Sequence, residues 1–172
     1  MKVFLMRHGD AQTGADDAKR QLSEEGRGEA GVAGEFLRRA GEAPGAIFHS
    51  GLRRSMETAM IVSEKLGSGT KLSLRKGLLP DDNVPEFADG LIETLFSPVG
   101  FDESGGVMIV GHQPFVSSLA AFLLTGEEGG LSLKFPTGTL ACFELSGSLS
   151  AMPFCSLRFH VTAKLMNRLL GA

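Results

Sequence analysis

The feature that most limits the fold of this chain is the alternation of short apolar runs with amphipathic segments of helical period. Lys2–Met6, Ala46–Phe48, Lys71–Leu74 and Val107–Val110 are short, apolar or β-branched, and read as strands. Between them the pattern predicts helices. Ser23 caps one that opens on acidic Glu24 and runs to about Arg39, with Ala30, Ala33, Phe36 and Leu37 inward and Gly41 ending it. Residues 52–66 are helical again, with Met56, Ala59, Met60 and Val62 available for packing, and Glu86–Phe96 follows a Pro- and Asp-containing loop at Pro80–Pro85. Pro114 fits the first turn of a further helix. Thr139–Leu145 reads as a strand, Ser156–Phe159 as a weaker one, and Thr162–Leu170 as a closing helix. Strands and helices in alternation predict an α/β fold, a three-layer αβα sandwich around a mostly parallel sheet. In such sheets the working loops leave the carboxyl ends of the strands.

The length of 172 residues suits one domain, 1–172, within which Gly126–Gly130 and Ser146–Ser150 read as loops. With 17 Lys and Arg against 20 Asp and Glu, the net charge of −3 gives no general pull toward a nucleic-acid backbone. Arg7 and His8 break the opening apolar run well before a signal core, and no run approaches the roughly 20 apolar residues of a membrane span. A cytoplasmic protein with no membrane partner is expected. Cys142 and Cys155 are too few for a disulfide scaffold or a four-cysteine zinc site, and read as buried thiols in a reducing compartment. Tyr and Trp are absent, which removes tyrosine catalysis.

Three polar clusters each follow an apolar strand: Arg7-His8-Gly9, the stretch Ser50 to Thr58 containing Arg53 and Arg54, and Gly111-His112-Gln113-Pro114. If their strands are neighbours, two imidazoles and at least two guanidiniums meet at one edge of the sheet. Arginine offers a rigid fork of donors to phosphate oxygens. A neutral imidazole among such arginines can attack phosphorus and carry the phosphoryl group transiently. Gly9 permits close backbone approach, and the Gln113 amide at the helix start suits an oxygen. Zinc is the rival for two histidines, but Arg7 and Arg54 repel a dication and no close carboxylate or thiolate completes the ligand set. No metal and no organic cofactor is expected.

In this order the clusters resemble the histidine phosphatase, or phosphoglycerate mutase-like, superfamily, and within it the SixA-type phosphohistidine phosphatases. The RHG tripeptide, the serine-then-arginine helix start and the late histidine carry the likeness. So do Asp17, Arg20, Leu22, Ser23 and Gly26, which match a D-x-x-R-x-L-[ST]-x-x-G segment, and Pro136-Thr137-Gly138. The resemblance implies that His8 is the nucleophile, that Arg7 and Arg54 bind phosphate, and that His112 stabilises the transferring phosphoryl group. Arg20 is expected at the substrate rim, with Gly9 and Gln113 among the phosphate-binding positions. Gly51 departs from the pattern, since many relatives place proline there; a change in loop stiffness rather than chemistry is expected.

Larger relatives insert a helical subdomain that brings a carboxylate acid to an alkoxide leaving group. This chain has no room for it, and Asp81, Asp82 and Glu86 form no recognisable acid motif. The imidazole of phosphohistidine leaves more easily than an alkoxide, so a protein-borne phosphohistidine is the expected substrate. The carrier would be a histidine phosphotransfer domain or another protein. A small-molecule phosphatase acting on sugar phosphates, a mutase and a non-catalytic phosphohistidine-binding module are the alternatives. Of the remaining polar residues, His49 and His160 read as structural or surface groups, Arg53 as solvated, and Asp10 as a polar loop residue, with orientation of the His8 loop as its alternative role. Thr58 is expected to bond within its helix, and Met56, Met60 and Met108 to fill the core.

Overall fold

The computed structural model describes residues 1–67, 69–96, 105–147 and 154–171. Along β1 (Lys2–Arg7) side chains alternate in direction, so Val3 and Leu5 enter one apolar cluster while Phe4 and Met6 enter another on the opposite face. The same division runs through β2 (Ala46–His49) and β4 (Val107–Gly111), where Phe48 and Ile109 face one way and Ile47 and Met108 the other. Helices α1 (Glu24–Arg39), α2 (Arg53–Leu66) and α5 (Ala163–Leu170) cover the Phe4 side. Helices α3 (Val84–Phe96) and α4 (Phe115–Thr125) cover the Val3 side. Burial on both faces explains why these strands read as continuous apolar runs. The expected three-layer sandwich is the fold observed.

The sheet has six strands in the order β3-β2-β4-β1-β5-β6, with β3 (Lys71–Leu74), β5 (Leu140–Ser146) and β6 (Phe154–Val161) completing it. The four strands from β3 to β1 are parallel, and β5 and β6 are antiparallel additions. Register fixes the site. His49 of β2 and Met6 of β1 both pair with Val110 of β4, and Arg7 pairs with Gly111. The residues that follow, Ser50, His8 and His112, therefore leave the sheet side by side.

Several elements differ from the sequence reading. Helix α3 begins at Val84, two residues earlier than expected, because Pro85 sits in its first turn, where no intrahelical amide bond is required. β6 is the longest strand, at eight residues, rather than a minor one. A short 3-10 turn, Asp17–Lys19, with Asp16 accepting from the Ala18 amide, interrupts the loop expected over 7–20. Met108 is buried, but Met56 and Met60 are 36% and 52% exposed, since α2 buries the adjoining stripe of Ser55, Thr58, Ala59 and Val62 instead. Cys142 is buried and Cys155 only half-buried, and both are free thiols. Ser146 closes β5, while residues 148–150 of the loop expected there lie outside the described residues.

Candidate active site

The carboxyl ends of β1, β2 and β4 bring His8, Arg54 and His112 together, each nearly buried at 8%, 4% and 1% exposed. The two imidazole rings lie 4.9 Å apart between centroids. His8 Nδ1 is 2.7 Å from the Gly9 carbonyl oxygen, which can only accept, so Nδ1 carries the proton. The lone pair of neutral His8 is then on Nε2, where Arg54 Nε donates at 3.3 Å. Burial is the main cause that lowers the His8 pKa to about 4, and the Arg54, Arg7 and Arg20 guanidiniums lower it further against the Gly9 bond. His112 is lowered to about 3, again chiefly by burial and then by His8 and Arg54. Both rings are thus neutral near pH 7.

Arg54 is held from the 3-10 turn. Its Nη1 donates to the Asp17 carbonyl at 2.7 Å and its Nη2 to the Asp17 carboxylate at 3.0 Å. The other carboxylate oxygen accepts from Arg20 Nη1 at 3.0 Å, while Arg20 Nε donates to the Gln12 carbonyl at 2.7 Å. Bonding to Arg20, with Arg54 assisting, holds the Asp17 pKa below the ordinary carboxylate value. Asp17 is therefore an anion at neutral pH that orients arginines, not a proton donor. Arg7 Nη1 donates to the Phe135 carbonyl at 3.0 Å, and its buried Nε has no hydrogen-bond partner among the described residues.

The Gly9 amide and the Gln113 side chain both have partners within the protein. The Gly9 amide donates to Thr58 Oγ1 at 3.1 Å, and a Cβ on Gly9 would stand 2.3 Å from the Gly26 carbonyl oxygen. The missing side chain lets the His8 loop pack on the first turn of α1. The Gln113 side-chain amide donates to Ser117 Oγ and to the Phe135 carbonyl, so it braces the 133–136 segment. Thr58 bonds within its helix to the Arg54 carbonyl, as expected, and fixes Gly9 as well. Arg53 pairs with Glu57 at the surface. His49 Nδ1 accepts from the Gly51 amide, and His160 packs edge-on against Phe135, so both have structural places.

Glu29 and Ser50 were not legible as contributors, whereas for Asp10 the sequence offers an orienting role or a plain loop position. Glu29 accepts from the Asp10 amide and from Thr137 Oγ1, both at 2.8 Å, and so clasps the His8 loop to the Pro136-Thr137-Gly138 loop. Asp10 in turn accepts from the Ser23 hydroxyl at 2.7 Å, which gives it an orienting role as well as a loop position. Ser50 Oγ lies 2.6 Å from His112 Nε2. Asp17 and Ser50 stood inside quoted motifs without a role, whereas Glu29 is one helix-surface glutamate among several and carried no local signal.

Of two hollows on the surface, one borders the cluster. One of about 640 Å³ opens beside Arg7 and is lined also by Gln113, Ser117, Ser132 and Lys134. Another, of about 330 Å³, is lined by Arg75, Lys76, Asp82 and Glu86 and by none of the four cluster residues. Among the described residues no three His, Cys, Asp or Glu side chains are grouped as metal ligands, and no helix is long and apolar enough to cross a membrane.

Comparison with known proteins gives the following likenesses. The family model of the histidine phosphatase superfamily (branch 1) matches residues 3–79. The structure of the protein histidine phosphatase SixA complexed with tungstate is similar at 24% identity and a TM-score of 0.80, over 95% of this chain and 98% of that one. A candidate phosphohistidine phosphatase SixA from Agrobacterium tumefaciens matches at 21% identity and a TM-score of 0.70, over 94% and 97% of the two chains. A mycobacterial glucosyl-3-phosphoglycerate phosphatase matches at 21% identity and a TM-score of 0.66, over 92% and 97%. No curated protein matches the sequence.

Proposed function

We propose that this chain, whose residues 3–79 match the model of the histidine phosphatase superfamily and whose fold is that of SixA, is a member of that superfamily and removes phosphate from phosphohistidine in a protein through a phospho-His8 intermediate. The observation that carries this reading is the state of His8: a neutral ring, its proton held on Nδ1 by Gly9, its Nε2 lone pair free of a proton beside two arginines. His8 Nε2 attacks phosphorus in line. The bond to the leaving imidazole breaks, and that ring keeps the electron pair and takes a proton from water. Arg7, Arg54 and His112 bear the charge that spreads over the equatorial oxygens. A phosphoryl oxygen at Arg7 also gives its open Nε donor a partner. Water then attacks phosphorus, loses a proton, and returns the lone pair to Nε2.

The resting contact between Arg54 Nε and His8 Nε2 blocks the nucleophile until an anion draws the guanidinium away. Asp17, ionised between Arg20 and Arg54, supplies no acid, in keeping with an imidazole leaving group. Asp10, which joins the nucleophile loop to Ser23, positions rather than reacts.

A small-molecule phosphomonoester is the second reading. The hollow of about 640 Å³ beside Arg7, with serines and Lys134 on its wall, has the size and polarity for a sugar-like leaving group. The fold shared with a glucosyl-3-phosphoglycerate phosphatase supports the same alternative. Phosphate release from a phosphohistidine peptide, in chelator and beside a panel of sugar phosphates, decides between them. Wild-type release from the peptide, lost in His8→Ala, is expected. Equal release by both proteins sinks the His8 mechanism, and release from sugar phosphates alone moves the assignment to the second reading.

A further inference from the structure

We infer that Ser50 is a positioning residue for His112: its hydroxyl fixes the orientation of the imidazole and the nitrogen on which the ring proton sits. The inference rests on the phosphoryl-stabilising role proposed for His112. Ser50 Oγ lies 2.6 Å from His112 Nε2, the short end of the hydrogen-bond range. The opposite nitrogen, Nδ1, is buried and has no hydrogen-bond partner among the described residues. His112 is 1% exposed, so bulk water does not compete for either nitrogen. The serine contact is what makes the two nitrogens unequal.

Ser50 is itself fixed at two points besides His112. Its amide donates to Ser55 Oγ at 3.2 Å, and the Ser55 hydroxyl donates to the Val110 carbonyl at 2.8 Å. The Leu52 amide donates to Ser50 Oγ at 3.3 Å. Val110 lies two residues before His112, so the chain Val110–Ser55–Ser50–His112 closes on the strand that delivers the imidazole. Between Ser50 and Leu52, Gly51 turns with φ +88°, and its amide donates to His49 Nδ1. Proline, locked near −65°, has no such φ and no such donor. The glycine that departs from the family pattern thus shapes the turn presenting Ser50, a conformational difference rather than one of stiffness alone.

Of the two partners of Ser50 Oγ, the Leu52 amide can only donate, so the hydroxyl proton goes to a bare His112 Nε2 and the ring proton is left on Nδ1. An imidazole in the wrong tautomer offers a lone pair where a phosphoryl oxygen needs a donor, which is costly in a buried site.

The test is Ser50→Ala, a small change at a partly exposed position, read in two ways. Long-range proton–nitrogen NMR of the substrate-free protein reports the protonation of each His112 nitrogen. Wild type should show two well-separated nitrogen shifts, which move toward tautomer-averaged values in the variant. Steady-state turnover of p-nitrophenyl phosphate should show kcat reduced about tenfold with KM little changed, as loss of one hydrogen bond acting in the transition state gives. Unchanged His112 shifts, or altered shifts with an unchanged kcat, overturn the inference. If wild type turns over neither p-nitrophenyl phosphate nor a phosphohistidine peptide, the phosphatase reading fails by itself, and the nitrogen shifts still judge Ser50.

Discussion

Histidine 8 shows how far an environment can move one side chain from its solution chemistry. An exposed histidine protonates near 6.5. Here burial, with Arg54, Arg7 and Arg20 in support, lowers the value to about 4. The proposed nucleophile therefore stays unprotonated through pH 6.5 and 5, and its loss in acid is displaced downward. kcat/KM, which reports the free enzyme, should stay level across pH 7 to 5 and fall toward pH 4. A nitrogen NMR titration of His8 should place its midpoint in that same range. A decline centred on pH 6.5 in both measurements would show that the ring is solvated and that the buried geometry does not describe the working site. His112, lowered to about 3, titrates beside it, so the two rings share their acid steps.

At the scale of the element, the His8 loop and the first turn of α1 are built around two glycines in mutual contact. A Cβ on Gly26 would lie 2.0 Å from the Asp10 carbonyl oxygen, and one on Gly9 2.3 Å from that of Gly26. Both neighbours are backbone and cannot swing aside. Gly26→Ala should then cost more than the few tenths of a kcal/mol of an ordinary surface helix change, on the order of 2–4 kcal/mol, and should lower activity by displacing His8. Gly28→Ala in the same helix, where a Cβ meets nothing within 4 Å, is the control and should be neutral or slightly stabilising. Equal melting temperatures for the two variants would refute the contact. The helix itself was legible, from Ser23 through Leu37, because capping and period are local signals. The Gly9–Gly26 contact was not, because a glycine that serves a ligand and one that serves another backbone look alike in sequence. Likewise Pro85 reads equally as the end of a loop or the first turn of a helix, and the exposure of Met56 and Met60 depends on how α2 is rotated on the sheet. The candidate cluster was legible because His8 and His112 directly follow their strands and Arg54 stands in the first turn of the helix after β2. Glu29 and Asp17 act across distances of chain that no local pattern spans.

For the molecule as a whole, the histidines set the dependence of stability on pH. His8 and His112 have folded pKa values of about 4 and 3, and His49 and His160 are also lowered by burial. In the unfolded chain all four return to about 6.5. Between pH 6.5 and 4 the unfolded state therefore binds more protons than the native state, and stability must fall as pH falls. Each unit of difference is worth about 1.4 kcal/mol, so two buried rings shifted this far weigh appreciably against a total of roughly 5–15 kcal/mol. Glu29, raised chiefly by burial, acts in the opposite sense near its own titration, while Asp17 and Glu57, both lowered, withdraw stability as the pH falls through and below the ordinary carboxylate range. The window from 6.5 to about 4.5 thus belongs to the histidines. Urea unfolding followed by circular dichroism, since the chain has no Trp or Tyr to fluoresce, should give a midpoint that drops steadily across that window. His112→Gln removes one buried titrating ring and should flatten the slope, and addition of His8→Gln should flatten it further, whatever either does to absolute stability. A slope that survives both substitutions would mean that the two rings already protonate freely in the native state. The neutral, arginine-flanked His8 on which the proposed attack depends would then be lost as well.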